Sequence, residues 1–300
     1  MSNFSFAIVS DVHIFASGGV PTNFPKVVSQ LASLSPRFVV VSGDATSGNP
    51  DDGASRDKVA LWWRAFRGAM QPLTDAGIPV IAIAGNHDYY TQAQRDGYQA
   101  AWASLSEEVS GDFILSGKPP LYYSLQVDEL HLLLLHVVDQ DLPREVRDFM
   151  QKDSAQAPSD ALRLCIGHVP LVSMMGRTNE SYRDELGKLL VQQGYSAFFA
   201  GHEHLVWEQE LSFADGNLHH IHVGTASGTY HFPLSRSTYD KNCSGNEGTL
   251  PYSGRRFALD PGTRQQADKV NVCMVQVSDG TYSVENLTLR SGELVPFGID

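Results

Sequence analysis

The chain has 300 residues, 42% hydrophobic and 19% charged, so it can bury a substantial core in one large domain or two smaller ones. Its formal net charge is −12, from 34 acidic and 22 basic residues. This acidic surplus disfavours a nucleic-acid polymer as partner, because binding a polymer of phosphates requires clustered Lys and Arg.

The cysteines and the N-terminus indicate the compartment. Cys165, Cys243 and Cys273 are an odd number without CxxC spacing, so they predict no disulfide framework. The first residues enter an apolar run without the pattern of a signal peptide. No apolar run approaches the roughly 18 residues of a membrane-spanning helix. We therefore expect a cytoplasmic protein that does not associate with a membrane.

The first part of the chain predicts alternating strands and helices. Short apolar runs at residues 4–10, 38–41 and 80–84 are typical of buried strands. Between them, one helix is expected to start at Thr22 or Asn23, before Pro25. A second is expected along residues 59–70, with a kink or end at Pro72. This alternation predicts a parallel sheet with helical crossovers.

The rest of the chain adds a second set of strands. A helix is predicted from Thr91 towards Glu108, and helical and strand patterns then alternate as far as residue 200. Hairpins are predicted at residues 122–136, 206–223 and 272–289. Residues 225–268 show little periodicity and are expected to form a long loop. Such a loop would serve either as the rim of an active site or as an interface with a partner.

These elements predict an α/β fold of one domain spanning residues 1–300. We expect a four-layer αββα sandwich, in which two mixed β-sheets pack together and helices flank them. Residues 1–205 carry the polar motifs described next, and residues 206–300 are expected to complete the second sheet.

Five short polar blocks each follow a predicted strand. They are Asp11-Val12-His13, Gly43-Asp44, Gly85-Asn86-His87-Asp88, Gly167-His168-Val169-Pro170 and Gly201-His202-Glu203-His204. Because parallel strands bring their C-terminal ends to one edge, residues far apart in the chain converge there. Seven of the side chains in these blocks, namely two Asp, one Asn and four His, together exceed the ligand capacity of one ion. They suit two adjacent transition-metal ions that share a bridging carboxylate.

The order of these blocks resembles that of the calcineurin-like metallophosphoesterase superfamily. The family pattern is DxH, GD, GNH[DE], HxP and GHxH, and the match spans residues 11–204. The resemblance implies a metallophosphoesterase fold and two divalent or trivalent ions of Mn, Fe, Zn or Co. It implies one ion held by Asp11, His13 and His204, a second held by Asn86, His168 and His202, and Asp44 as the bridge.

The third block contains two further candidates. The resemblance implies that His87 is not a ligand but reaches the phosphoryl oxygens or the leaving group, as a catalytic residue. We expect the Asp88 carboxylate to orient the His87 ring and to raise its basicity. Between the two ligands of the last block, Glu203 is expected to point away, either supporting them or without a role. His219, His220 and His222 belong to no block and are expected to be structural or to lie at a rim.

The pattern also limits the choice of phosphoesterase. Purple acid phosphatases carry a Tyr three residues after the bridging Asp, where this chain has Ser47, and the Arg-bearing block of protein phosphatases is absent. We expect a promiscuous hydrolase of small phosphodiesters, of the cyclic-nucleotide or aryl type. A phosphomonoesterase remains open, with Arg177, Arg183, Arg236 or Arg255 balancing the extra charge. A non-catalytic metal-binding scaffold is the alternative from another class.

Aromatic side chains near the blocks give two readings of equal weight. They could form a rim that stacks on a nucleobase or aryl group, or they could pack within loops. The candidates are Phe15, Tyr89, Tyr90, Tyr230, His231 and Phe232. The expected partner is a small phosphate ester, and the oligomeric state is left open.

Overall fold

The structure is a computed structural model that describes residues 3–51, 53–109, 111–174, 178–228 and 270–297. Of the predicted loop at residues 225–268, all but the first four residues lie outside the described residues. The described strands form two sheets, one with six strands and one with seven.

The first sheet begins with three parallel strands, as the alternation predicts. These are β1 (Asn3–Val9), β2 (Val39–Val41) and β3 (Val80–Ala82), joined by α1 (Phe24–Leu34) and α2 (Arg56–Asp75). Asn23 occupies the N-cap position of α1 without a side-chain capping hydrogen bond, and a proline lies in the first turn, where no backbone N–H is needed. Helix α2 continues through Pro72 and ends three residues later, at Asp75, instead of ending at the proline.

The long helix α2 is held by its aromatic face. Trp62 is fully buried and Trp63 is 4% exposed, and both belong to the main hydrophobic core. Burying a large apolar side chain contributes on the order of 2 kcal/mol each, so this face anchors the helix against the sheet. Among the described helices, none has both the length and the apolar character that crossing a bilayer requires.

The second sheet follows in the order β4-β5-β6-β7-β8-β10-β9. Its strands are β4 (Ile114–Lys118), β5 (Tyr122–Val127), β6 (Leu130–Leu135), β7 (Leu162–Ile166), β8 (Ala197–Ala200), β9 (Val206–Phe213) and β10 (Gly216–Val223). The helices of this part are α3 (Gln92–Ala101), α4 (Leu105–Glu108), α5 (Arg144–Gln156) and α6 (Glu180–Gln192). The helix predicted from Thr91 to Glu108 is therefore two helices, with a break at residues 102–104.

The C-terminal strands correct one prediction. We expected residues 206–300 to complete the second sheet, but only β9 and β10 do so. The last strands, β11 (Asn271–Ser278), β12 (Thr281–Arg290) and β13 (Glu293–Pro296), extend the first sheet in the order β13-β12-β11-β1-β2-β3. The crossovers place β2 and β3 on one side of β1, which leaves the other edge of β1 without hydrogen-bond partners. Strand β11 pairs antiparallel with that edge and satisfies it.

The side chains of β6 show the layers of the fold. Leu132 and Leu134 belong to the core cluster that also contains Phe6 of β1, so they lie between the two sheets. Leu133 and Leu135 belong to the cluster that contains residues of α5 and α6, on the outer face. Because alternate residues of a strand point to opposite faces, β6 is covered on both sides. This arrangement confirms the predicted four-layer sandwich.

Candidate metal centre

The five polar blocks lie at the C-terminal ends of five strands. Three of these strands, β1, β2 and β3, are parallel in the first sheet, and β7 and β8 are parallel in the second. The two sheet edges meet, because His204 Nε2 lies 3.2 Å from Asp11 Oδ1 and His168 Nε2 lies 3.2 Å from Asp44 Oδ2. Blocks that are distant in the chain therefore form one cluster.

One group of possible ligands consists of Asp11, His13 and His204. One ligand atom from each lies within 4.8 Å of the others. The two imidazole nitrogens His13 Nε2 and His204 Nε2 are only 3.1 Å apart. Both Asp11 and His13 are almost completely buried. A carboxylate and two imidazoles at this spacing are a donor set that suits a transition-metal ion.

A second group consists of Asn86, His168 and His202. The Asn86 Oδ1 atom lies 3.1 Å from His168 Nε2 and 2.9 Å from His202 Nδ1. The Asp44 carboxylate lies between the groups, with its Oδ2 atom 3.2 Å from His168 Nε2 and 4.0 Å from His13 Nε2. The structure therefore brings together all seven side chains that the sequence predicts as ligands, and it places Asp44 where a bridge would have to lie.

The backbone of this cluster is strained. Asp11, His13 and Asp44 have φ values of 54°, 54° and 51°, and His202 and His204 have values of 70° and 55°. This left-handed region is disfavoured for residues with a Cβ atom, at about 1–2 kcal/mol each. Such conformations persist where surrounding contacts impose them, and they concentrate at functional sites.

Glycines allow the blocks to approach one another. A Cβ atom at Gly43 would clash with the His168 ring and would lie 2.7 Å from the backbone nitrogen of Gly85. At Gly85 it would clash with the Asp44 carboxylate, and at Gly201 with Ser10 and Asp11. The glycine that begins each of these three blocks is therefore required, because it packs closely against residues of another block or strand end.

The protonation of the metal-free cluster matches a site for cations. Burial lowers the pKa values of His13 and His202 to about 4, so both rings are neutral at neutral pH and offer a lone pair. Burial also acts to lower the pKa of His168, but the Asp44 and Asp11 carboxylates outweigh it and raise this pKa to about 9. The His168 imidazolium in turn keeps the pKa of Asp44 well below its usual range despite burial. The donors thus fit two cations that would replace the His168 proton.

His87 lies beside the cluster. A nitrogen of its ring is within 4.8 Å of ligand atoms of His13 and Asp44. The ring is oriented by Gly48, whose carbonyl oxygen lies 2.6 Å from Nδ1 and accepts its proton, and the His87 backbone N–H donates to Asp44 Oδ1 at 2.8 Å. The edge of the Tyr90 ring packs against it, with 5.4 Å between ring centroids.

Asp88 does not make the contact that we predicted. Its carboxylate accepts hydrogen bonds from the backbone N–H groups of Ala45, Thr46 and Gly85 and from the Thr46 hydroxyl, at 2.8–3.2 Å. The side chain turns away from the His87 ring because these donors converge behind the cluster. Asp88 therefore ties the loop after β2 to the loop after β3. Burial, with the nearby Asp44 charge, raises the pKa of Asp88 to about 6.

The sequence did not predict the side-chain contacts of two residues near the cluster, Asn86 and Glu203. Asn86 Nδ2 donates to the Tyr90 hydroxyl, which leaves the amide oxygen facing His168 and His202. Glu203 is buried and directed away from the ligands, as predicted, but it binds the loop after His168. The sequence offered two signals for these contacts: a tyrosine four residues after Asn86, and a carboxylate between two predicted ligands.

The other histidines and aromatic residues have separate places. His220 Nε2 accepts the Leu171 N–H at 3.2 Å, and His219 Nδ1 lies 3.1 Å from the Tyr282 hydroxyl. Tyr89 packs on His136, with 4.1 Å between ring centroids. Of the rim candidates, Phe15 and Tyr90 are each 39% exposed, whereas Tyr230, His231 and Phe232 lie outside the described residues.

Comparisons with solved structures show where this fold recurs. Purple acid phosphatase PPD1 from yellow lupin (Lupinus luteus) superimposes with a TM-score of 0.65 at 14% identity, over 98% of this chain and 53% of that chain. This chain thus spans about half the length of the lupin protein. GAP50, described as the anchor in the inner membrane complex of Plasmodium, gives a TM-score of 0.56 at 12% identity, over 100% and 90% of the two chains. At these identities the likeness concerns the fold alone.

The sequence comparisons assign the family. No curated protein sequence matches the chain significantly. A sequence profile described as calcineurin-like phosphoesterase matches residues 4–206, which is more than half of the chain and includes all five blocks. The chain belongs to the calcineurin-like phosphoesterase family.

Proposed function

We propose that this protein is a metal-dependent phosphohydrolase that cleaves small phosphodiesters, of the cyclic-nucleotide or aryl type, with a broad substrate range. The observation that carries the proposal is the pair of ligand groups with the Asp44 carboxylate between them. In this assignment, Asp11, His13 and His204 would hold one ion, Asn86, His168 and His202 would hold the other, and the Asp44 carboxylate would be shared by both. Two bound Mn, Fe, Zn or Co ions would supply a water of lowered pKa and charge stabilisation for the phosphoryl oxygens.

The remaining chemistry belongs to His87. Its Nδ1–H donates to the Gly48 carbonyl, which fixes the ring and leaves Nε2 for a substrate. When Nε2 is protonated as well, a ring held in this way can donate the Nε2–H to a phosphoryl oxygen or give that proton to the leaving group. The tilt of the His87 ring is fixed further by the Tyr90 edge, so the imidazole is positioned before a substrate arrives.

The preference for diesters rests on charge. A monoester dianion needs a further cation, and Arg is the usual donor. Of the arginines considered, Arg183 is engaged with the adjacent Asp184 at 2.7 and 2.9 Å. Arg177, Arg236 and Arg255 lie outside the described residues. The alternative activity is that of a phosphomonoesterase, in which one of these arginines would balance the extra charge of the monoester.

The alternative from another class is a metal-binding scaffold. GAP50 is described as an anchor, so this fold also occurs in a protein named for attachment. What favours catalysis here is His87, because a scaffold has no need of an oriented imidazole beside the ligand groups.

The test is a comparison of two chromogenic substrates. The purified protein is loaded with Mn²⁺, its metal content is measured, and the turnover of bis(p-nitrophenyl) phosphate is compared with that of p-nitrophenyl phosphate. We expect faster turnover of the diester. Hydrolysis of the monoester alone would overturn the diester preference. A protein with bound metal that hydrolyses neither ester would support the scaffold.

A further inference from the structure

Glu203 is a buried carboxylate with no assigned role. It lies between His202 and His204 in the chain, yet the residue is only 6% exposed and its carboxylate accepts hydrogen bonds from Ser173 and Met174. A carboxylate is costly to bury unless hydrogen bonds or opposite charge compensate it. Its partners therefore show what the side chain holds in place.

Within the part of the chain that the structure describes, partners of Glu203 come from two other segments. The backbone N–H of Met174 donates to both carboxylate oxygens, at 3.1 and 2.9 Å, and the Ser173 hydroxyl donates to Oε1. On the other side, His222 Nδ1 of β10 lies 3.3 Å from Oε2. Glu203 thus connects the last polar block to the loop that follows His168, and it lies against the neighbouring strand β10.

The block that contains Glu203 needs such an anchor. Both His202 and His204 have left-handed backbone conformations, with φ values of 70° and 55°. The His202 backbone N–H donates to Asp11 at 2.9 Å, which secures one side of the turn. Residues in this region stay there only if surrounding contacts determine their conformation. On the opposite side of the turn, the Glu203 side chain provides contacts of this kind.

We propose that Glu203 is a positioning residue for both ligand groups. By binding the Ser173–Met174 loop, it fixes the turn that carries His202 and His204 relative to the segment that carries His168. The ligands then keep their spacing before an ion binds. This proposal rests on the metal-dependent function proposed above, and it extends that function to a residue that touches neither ion nor substrate.

The test compares Glu203→Gln with a matched buried carboxylate. Asp153 is 5% exposed, accepts the Ser124 hydroxyl at 2.7 Å, and lies 2.9 Å from His131 Nε2. His131 is near the start of β6, at the end of the sheet opposite the ligands. Both Glu203→Gln and Asp153→Asn therefore disturb a buried carboxylate that faces a hydroxyl and an imidazole, but only the first lies beside ligands.

Three measurements are made on each variant: Mn²⁺ affinity by calorimetry, the melting temperature of the metal-free protein, and kcat at saturating Mn²⁺. We expect both variants to melt lower than the wild type. We expect only Glu203→Gln to bind Mn²⁺ more weakly, by roughly 10–100-fold, as is typical when support behind a metal ligand is removed. Saturating Mn²⁺ is expected to restore most of its kcat.

Three results would overturn the proposal. One is Mn²⁺ affinity equal to that of the wild type in Glu203→Gln. Another is equal weakening in Asp153→Asn, which would make the effect one of general stability. A third is a kcat that stays low at saturating Mn²⁺, which would indicate a direct role in the reaction.

Two further comparisons complete the test. If Glu203→Gln does not fold, Ser173→Ala removes one partner and is expected to weaken Mn²⁺ binding several-fold, and unchanged affinity there would equally overturn the role of Glu203. A wild-type protein that binds Mn²⁺ but hydrolyses no ester would defeat the proposed function while leaving the affinity comparison intact.

Discussion

Asp44 is the residue that both ligand groups share. Its Oδ2 atom faces His168 at 3.2 Å and His13 at 4.0 Å, and its Oδ1 atom accepts the His87 backbone N–H. Because the nearby imidazoles keep its pKa well below the usual range despite complete burial, the carboxylate is ionised at neutral pH. One negative charge therefore serves both groups.

The substitution Asp44→Asn tests this shared role. A neutral amide bridges two cations poorly, so we expect both ions to be lost together, with a metal content close to zero after dialysis. Elemental analysis against protein concentration measures this content. Asp51→Asn, at an exposed position of the same loop, is the control and is expected to retain both ions. Loss of a single ion from Asp44→Asn would contradict the bridging assignment.

His87→Ala separates catalysis from metal binding. Because the proposed role of His87 is to contact the substrate, we expect near-normal metal content and a kcat that is lower by roughly 10²–10⁴-fold. The paired measurements are elemental analysis and diester hydrolysis with excess Mn²⁺. The control is His219→Ala, which removes a ring that is hydrogen-bonded to the Tyr282 hydroxyl. We expect it to leave both the metal content and kcat unchanged. Loss of metal from His87→Ala would show that His87 is itself a ligand.

At the residue scale, the sequence allowed the convergence of the candidate ligands to be predicted, but not the residues that support them. Strand ends are visible in an apolar pattern, so the convergence of Asp11, Asn86 and His168 could be foreseen. The Asp88 carboxylate could not be placed, because its direction after a turn depends on the donors that packing brings near. Most of those donors belong to residues 45 and 46, more than forty positions earlier in the chain.

At the scale of elements, the loops after the strands are packed more tightly than ordinary turns. Gly201 follows β8 and lies against Ser10 and Asp11 at the end of β1, where a Cβ atom would come within 2.7 Å of Asp11 Oδ2. This contact joins the two sheets at the edge that carries the cluster. The spacing of the first ligand group therefore depends on a position without a side chain.

Gly201→Ala should separate these loops. We expect weaker Mn²⁺ binding and a lower melting temperature, because the added methyl group forces Asp11 or the last block to move, typically at 1–3 kcal/mol. Gly68→Ala is the matched control, since Gly68 lies within α2 with no atom near its Cβ position. That change should raise stability by about 0.5–1 kcal/mol. Unchanged Mn²⁺ affinity in Gly201→Ala would show that the close approach is not needed.

Hydrophobic periodicity accounts for which elements could be predicted. The hairpin of β5 and β6 was foreseen because its apolar pattern and turn are local. The short strands β4 and β13 were missed, since their residues are mostly exposed and carry little apolar signal. The place of β11 to β13 was also missed, because periodicity identifies a strand but not the edge with which it pairs.

At the scale of the whole molecule, two sheets bring their charges to one buried place. The cluster contains carboxylates from the first sheet and imidazoles from both, and the sum determines how protons are held without metal. His168 keeps a proton because the Asp44 and Asp11 carboxylates outweigh the effect of burial on its pKa, whereas burial prevails at His13 and His202. Ions that bind here must therefore displace at least the proton on His168.

This difference predicts that metal binding releases protons. At pH 7 the metal-free protein holds the His168 proton, because the pKa is about 9, while His13 and His202, with pKa values of about 4, have none to lose. Binding of Mn²⁺ should release at least one proton, the one on His168, since a ligating imidazole is neutral. Calorimetric titrations at pH 7 in two buffers with different ionisation enthalpies measure this number.

The same pKa sets how stability and affinity depend on pH. A pKa raised above the ordinary value of 6.5 stabilises the metal-free fold below pH 6.5, and this contribution is lost as the pH rises through about 9. Mn²⁺ affinity should change in the opposite sense and increase up to about pH 9, because the fraction of molecules that carry the His168 proton decreases. In Asp44→Asn the charge that holds the proton is absent, so any residual binding should release less. Equal binding enthalpies in the two buffers for the wild type would show that His168 is already neutral, and the electrostatic account of the cluster would then be wrong.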